Sequence, residues 1–312
     1  MKVRSEMALH ADELPIDGAL VRALLDRDLP EHAGLPLAPL RAAGSTNALF
    51  RLGDDLLVRL PRQPGGGESI LKEARLAPLL AAALPVAVPE VVAVGGPGFG
   101  YPEHWSVTRW LAGEHPTCAG LGRRAAPERL ALAEDLADVV RALREVDVPE
   151  PVDGELRWYR GGALNDFDVS VRHYLALCRG IRGLDLDLDK AEAMWEKALA
   201  LPGAAEPGPD RWFHGDLVAE NLLVADGRLA AVLDLGAVSV GDPTVDLHGA
   251  WEVLDAPARN RFAARLGVDE AEWLRGRAWA LGIALGALSY YWESMPGRRS
   301  DRLAMARNVL TD

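Results

Sequence analysis

Apolar residues recur every three or four positions from Leu14 to Leu29, in LPIDGALVRALLDRDL, which predicts an amphipathic helix early in the chain. The pattern then changes. ALFRLGDDLLVRLPR sets two apolar runs around Gly53-Asp54-Asp55, the signature of a β-hairpin with a short turn. QPGGGES reads as a flexible connector, and SILKEARLA after it as a helix that Pro78 kinks or restarts. VPEVVAVG and HWSVTRWL are two further strands, joined by the Gly/Pro-rich GGPGFGYPE. Residues 1–108 therefore read as a small, sheet-rich lobe with one intervening helix.

Beyond Gly113 the texture becomes helical. APERLALAEDLADVVRALREVD places Leu132, Leu136, Val139, Val140 and Leu143 on one face. Further helical runs occur at DFDVSVRHYLALC, at DKAEAMWEKALAL and from Glu272 to about Tyr291. A single segment interrupts them with strand pattern: NLLV, a turn at Ala225-Asp226-Gly227, then AAVLDL. The expectation is an α+β protein of two lobes, with residues 109–113 linking the small lobe to a larger one at 114–312.

Composition narrows the classes. Apolar residues make up 49% and charged residues 26% of 312, as in a globular protein. Lys and Arg total 34 against 46 Asp and Glu, so the formal charge is 34 − 46 = −12, which argues against a nucleic-acid partner. A cationic small molecule suits such a field, although net acidity also serves solubility alone. Two cysteines, Cys118 and Cys178, offer neither metal spacing nor a disulfide framework. LAPLLAAALPVAVPEVVAVGG, the longest apolar run, is broken by Pro78, Pro85 and Pro89, and the first residues lack a signal-peptide core. A cytoplasmic protein with no membrane partner is expected.

The strand-bearing segment, FHGDLVAENLLVADGRLAAVLDLG, carries His214, Asp216, Asn221 and Asp234 among Leu and Val. Singly, each has a structural use: His214 as a backbone-bonded histidine, Asp216 as a turn residue after Gly215, Asn221 as a cap, Asp234 as the end of an apolar strand. Jointly they suggest chemistry. An antiparallel hairpin brings Asn221, at its start, toward Asp234, at its end. An amide oxygen and a carboxylate there form part of a shell for Mg²⁺, a hard ion that takes its remaining ligands from phosphates and water. Asp216, one loop away, can orient or deprotonate an attacking hydroxyl. These are the parts that phosphoryl transfer requires.

HGDLVAEN resembles the HGDxxxxN catalytic loop of the aminoglycoside phosphotransferase family, small-molecule kinases related in fold to protein kinases. LDLG occupies the place of that family's metal-binding Asp-aromatic-Gly element, with Leu235 for the aromatic, and GDPTVDL resembles its GDPxxDL segment. GSTNALFRL, LVRLPR, LKEARLAPLL, VPEVVAVG and VTRWLAGE follow in the family's order, so the likeness covers roughly residues 40 to 255. It implies a two-lobed, protein-kinase-like fold with ATP or GTP in the cleft between the lobes. It further implies that Ser45, Thr46 and Asn47 cover the phosphates and that Arg59, standing where kinases generally carry Lys, contacts them while Glu73 holds it. Backbone groups of Arg109, Trp110 and Leu111 would meet the base. Asp216 would be catalytic with His214 bracing its loop, Asn221 and Asp234 would bind Mg²⁺, and Asp246 would brace the catalytic loop, while Asp242 before Pro243 reads from its own sequence as a helix cap.

The acceptor implied is a hydroxyl of a small molecule, with aminoglycosides or related antibiotics first. A kinase of sugars, choline-like compounds or amino alcohols keeps the same fold with another substrate, and a nucleotide-binding pseudokinase scaffold is a third reading. Intact Asp216, Asn221 and Asp234 weigh against the scaffold. The Gly-rich GGPGFG and QPGGGES lack the Lys-Ser/Thr of a P-loop and read as connectors.

Overall fold

A computed structural model describes residues 12–40, 46–117, 120 and 124–312, and the chain divides into two compact units. The first comprises the described residues up to Ala82, Val88–Ala112 and the short insert Asp234–Gly236. It holds a five-stranded antiparallel sheet in the order β1-β2-β3-β5-β4. Its strands are β1 (Leu37–Leu40), β2 (Asn47–Leu52), β3 (Leu56–Pro61), β4 (Val91–Gly95) and β5 (Trp105–Arg109). Val58, Leu60, Trp105 and Val107 point from the sheet toward Val21, Leu24 and Leu25 of helix α1 (Gly18–Asp28) in one buried cluster. Asp17 caps α1, its carboxylate accepting from the Leu20 N–H at 2.8 Å. Strand β1 escaped the pattern because its four residues include Pro39, which suits an edge strand but breaks a strand signal.

Two expectations for this unit need correction. Helix α2 (Gly67–Ala83) runs through Pro78, so of a kink or a restart there, the restart does not occur. Leu76, Ala77 and Leu80 are buried on both sides of the proline, and their burial offsets the backbone bond that Pro78 cannot make. Nor is QPGGGES a loose connector: the Glu103 carboxylate accepts from the N–H groups of Gly65 and Gly67 at 2.9 and 2.8 Å. A carboxylate at a helix N-terminus meets unpaired donors and the positive end of the dipole.

The second unit comprises Ala83–Ala87, Gly113–Leu233 and Ala237–Asp312, and is mainly helical. The long helices are α3 (Ala126–Glu145), α4 (Asp168–Arg179) and α5 (Leu188–Ala198), followed by the short α6 (Ala250–Val253). The chain continues through α7 (Ala256–Leu266), α8 (Glu270–Tyr291) and α9 (Pro296–Thr311). Leu132, Leu136, Val139, Val140 and Leu143 form the buried face of α3, as their spacing predicts. The hairpin is β7 (Leu222–Ala225) with β8 (Arg228–Val232), turning where Asp226 and Gly227 both have positive φ. A second two-stranded sheet, β6 (Arg211–Phe213) with β9 (Ser239–Gly241), corrects the expectation of a single strand-bearing segment. Three-residue strands are too short to show a period.

Candidate active site

The HGD loop lies between β6 and β7. Gly215 turns it with φ +81°, a conformation that a side chain would strain. Asp246, on the 3₁₀ segment Pro243–Gly249, accepts from the backbone N–H groups of His214 and Gly215, each at 2.7 Å. This is the brace that the GDPxxDL resemblance implied. Asp242 caps the same segment, accepting from the Thr244 N–H at 3.0 Å. Burial raises the Asp246 carboxyl, and the two backbone donors and the Arg144 charge oppose the rise without cancelling it.

His214 is 1% exposed, and both ring nitrogens are engaged by backbone. Nδ1 accepts from the Asp216 N–H at 3.2 Å, so Nε2 carries the proton and donates to the Leu233 carbonyl at 3.0 Å. No ring nitrogen is left for a substrate, and His214 positions the loop.

Asp216 is the polar centre of the loop. One carboxylate oxygen accepts from Asn221 Nδ2 at 3.0 Å and the other from Arg160 Nη1 at 2.8 Å. Burial raises the Asp216 carboxyl, but the Arg160 guanidinium, aided by the charge of Arg302, outweighs it and holds the group below the ordinary carboxylate range. Asp216 is thus an anion at any working pH and a weak base. Asn221 also donates from Nδ2 to the Asp216 carbonyl at 2.8 Å, which leaves its amide oxygen for another partner.

Arg160 escaped the sequence reading. It sits 56 positions before Asp216, in WYRGG, where no spacing rule connects the two. Its other contacts are the Gly215 carbonyl at 3.0 Å and the Tyr159 hydroxyl at 2.9 Å, with the Trp158 ring 4.7 Å from the guanidinium carbon. The one local hint is an arginine beside two aromatic residues, a pairing that cation–π attraction favours.

The Leu233 N–H donates to the Asn221 carbonyl at 2.8 Å, and Asp234 is the next residue in the chain. Asp234 takes φ +58°, in the left-handed region that Asp tolerates better than most residues.

Within the first unit, Asp234 accepts from Arg59 Nη2 at 3.3 Å. Arg59, 6% exposed, also forms a buried ion pair with Glu73 through Nη1. Burial alone would lower the Arg59 pKa; the carboxylates of Glu73 and Asp234 reverse the shift and raise it. Of the three residues assigned to phosphate cover, Ser45 lies outside the described residues. Thr46 is exposed at the mouth of β2, and its carbonyl accepts from the Arg62 N–H at 2.9 Å. The side-chain oxygen of Asn47 is buried and has no hydrogen-bond donor.

The hinge expectation is narrowed. The Arg109 N–H donates to the Glu90 carbonyl at 2.9 Å and the Trp110 N–H to the Asp55 carbonyl at 2.8 Å. Among the described residues, the Leu111 N–H makes no backbone bond and is the free donor of the three. The Trp110 ring stacks beneath Arg51 at 4.0 Å.

Two side chains each offer an oxygen of the kind that Mg²⁺ takes. The free Asn221 amide oxygen and the partly exposed Asp234 carboxylate are hard oxygen ligands. No group of three or more His, Cys, Asp or Glu side chains among the described residues could make an all-protein cage.

Residues 38–279 match the profile of the phosphotransferase enzyme family, APH. The chain belongs to that family. It is accordingly an enzyme of the phosphotransferase class. The GDP complex of wild-type aminoglycoside 2′-phosphotransferase-IIIa has a similar structure, with TM-score 0.72 and 17% identity over 95% of this chain and 99% of that one. The streptomycin–ATP ternary complex of APH(2″)-IIa gives 0.61 at 18% identity, covering 89% of each chain. The apoenzyme of macrolide 2′-phosphotransferase MphH from Brachybacterium faecium gives 0.60 at 23% identity, over 94% and 98%. These likenesses establish a shared fold. Among the described residues, no helix is long and apolar enough to cross a membrane.

Proposed function

We propose that this phosphotransferase moves the γ-phosphate of ATP or GTP to a hydroxyl of a small molecule, with aminoglycosides and related antibiotics such as macrolides as the first acceptors to test. The observation that carries the reading is the Asp216 carboxylate, fixed by Asn221 and Arg160 on a loop that Asp246 braces from beneath. Arg59, held by Glu73, contacts the donor phosphates, and Thr46 and Asn47 lie over them. The Leu111 N–H and neighbouring carbonyls of Arg109 and Trp110 meet the base. Asn221 and Asp234 are the ligands for Mg²⁺, which when bound neutralises charge on the phosphate oxygens. Asp216 accepts a hydrogen bond from the acceptor hydroxyl and orients it in line with the phosphorus. A carboxylate of depressed basicity suits orientation better than early deprotonation, and a loose transition state leaves the hydroxyl proton in place until late. Arg160 keeps Asp216 ionised and fixes its direction. The acidic protein favours a cationic acceptor at long range.

The test is a panel of aminoglycosides, macrolides, sugars and amino alcohols incubated with purified protein, Mg²⁺ and ATP or GTP, read by mass spectrometry for an added phosphate. Phosphorylation of an antibiotic class supports the reading. Phosphorylation of the metabolites alone redirects it, and modification of none removes it.

A further inference from the structure

Glu220 precedes Asn221 in the catalytic loop, and its side chain is 8% exposed. Glu252, on α6, is 0% exposed. Two carboxylates this deep need cationic partners, because burying unpaired charge is costly. Both find the same one. Arg302 of α9, itself 3% exposed, donates from Nη2 to both Glu220 oxygens at 3.0 Å and from Nη1 to Glu252. Arg298, one turn earlier, places Nε 2.7 Å from Glu220 Oε1, so two arginines balance two glutamates. The second Glu252 oxygen accepts from the Ala219 N–H at 3.4 Å. Residues 219 and 220 are thus both tied to the cluster, and the next residue is Asn221.

Attachment of α9 does not require this arrangement. The helix already buries Met305, Ala306, Val309 and Leu310. An apolar cluster of equal volume commonly stabilises a fold as well as a buried ionic one does, or better. What the ionic version adds is a defined geometry: a planar fork that satisfies two carboxylates in one orientation. That geometry acts at the residue beside the proposed metal ligand.

We infer that Arg302 is a positioning residue for phosphoryl transfer, with α9 clamping the Ala219–Asn221 turn through Glu220 and Glu252 so that the Asn221 amide is set for the metal–nucleotide. The inference rests on the function proposed above. Its test therefore combines turnover with a measurement that needs none. In the full-length protein, Arg302→Met, Arg302→Lys and Glu220→Gln are compared for kcat, KM for nucleotide, the Mg²⁺ concentration giving half-maximal rate, and amide hydrogen exchange across residues 214–222.

For Arg302→Met the expected result is a fall in kcat of about 10²-fold, the scale of a small misplacement of reacting groups. Half-saturating Mg²⁺ should rise several-fold and loop exchange should quicken, while the nucleotide KM stays within about threefold. Arg302→Lys keeps the charge without the fork and should recover part of the rate. Glu220→Gln leaves the Arg302–Glu252 pair in place and should show the same pattern in weaker form, which keeps the test available if Arg302→Met fails to fold. A lower melting temperature with unchanged kcat per folded molecule, Mg²⁺ requirement and loop exchange would make the cluster a simple brace and overturn the inference. If the wild type transfers no phosphate, the proposed function fails, and unchanged exchange in Glu220→Gln still decides against the clamp.

Discussion

Asp246→Asn changes one atom and should cost both stability and rate. Asp246 is 1% exposed, and each carboxylate oxygen accepts a backbone N–H at 2.7 Å, from His214 and Gly215. In the amide one oxygen becomes an NH₂ that faces an N–H, so one donor is left buried and unmet. That costs about 1–3 kcal/mol. The surviving bond loses its charge, and charge-assisted bonds are roughly twice as strong as neutral ones. The sum is about 2–4 kcal/mol, a large share of an ordinary domain's 5–15 kcal/mol yet compatible with folding. Because the lost bond aims the loop carrying Asp216, turnover should fall by about 10²-fold with nucleotide affinity little changed. Urea unfolding monitored by Trp fluorescence gives the stability, and steady-state kinetics gives the rate. Burial raises the Asp246 carboxyl, so the experiment also tests its ionisation. If the group were protonated in the folded enzyme, the amide would replace it nearly isosterically. A variant within about 0.5 kcal/mol of wild type, with normal turnover, would refute the account of an anionic brace.

Two other expectations concern ionisation and the metal. His248 is fully buried, and burial is the main cause that pushes its pKa down to about 3. The unfolded chain takes up that proton near pH 6.5 and the folded chain only near 3, so stability present above 6.5 is lost as the pH falls, at about 1.4 kcal/mol per pH unit. His248→Phe should flatten the loss of unfolding free energy between pH 7 and 5, and an unchanged slope would assign it to other groups. Asp234→Asn should weaken Mg²⁺-dependent nucleotide binding in calorimetry by about tenfold or more, since an amide is a poorer ligand for a hard cation; an unaltered metal dependence would point to a different ligand.

The sequence showed the elements whose period was long enough to read and whose face was half buried. Helix α3 and the hairpins at Gly53 and Asp226 are of that kind. Helix α8 was found by length and apolarity, although Trp279, Ala280, Leu281 and Gly282 are successively buried and leave no polar face. The strands β1, β6 and β9 were too short or contained proline. The placement of Asn221 was legible because an antiparallel β-turn-β unit fixes which positions meet: Asn221 and Leu233 are bonded partners twelve positions apart. Arg160 and Arg302 were not, since tertiary packing alone brings them to Asp216 and Glu220 across 56 and 82 positions. Backbone bonds at Arg109 and Trp110 were likewise hidden, because a motif gives residue types and not which donors are already used.

The most direct measurement is the rate of phosphate transfer by Asp216→Ala beside its affinity for nucleotide. Removing the group proposed to orient the hydroxyl should lower turnover by about 10²–10⁴-fold while nucleotide binding and the melting temperature stay close to wild type. Turnover within a few-fold of wild type would show that Asp216 is not the residue on which the reaction depends.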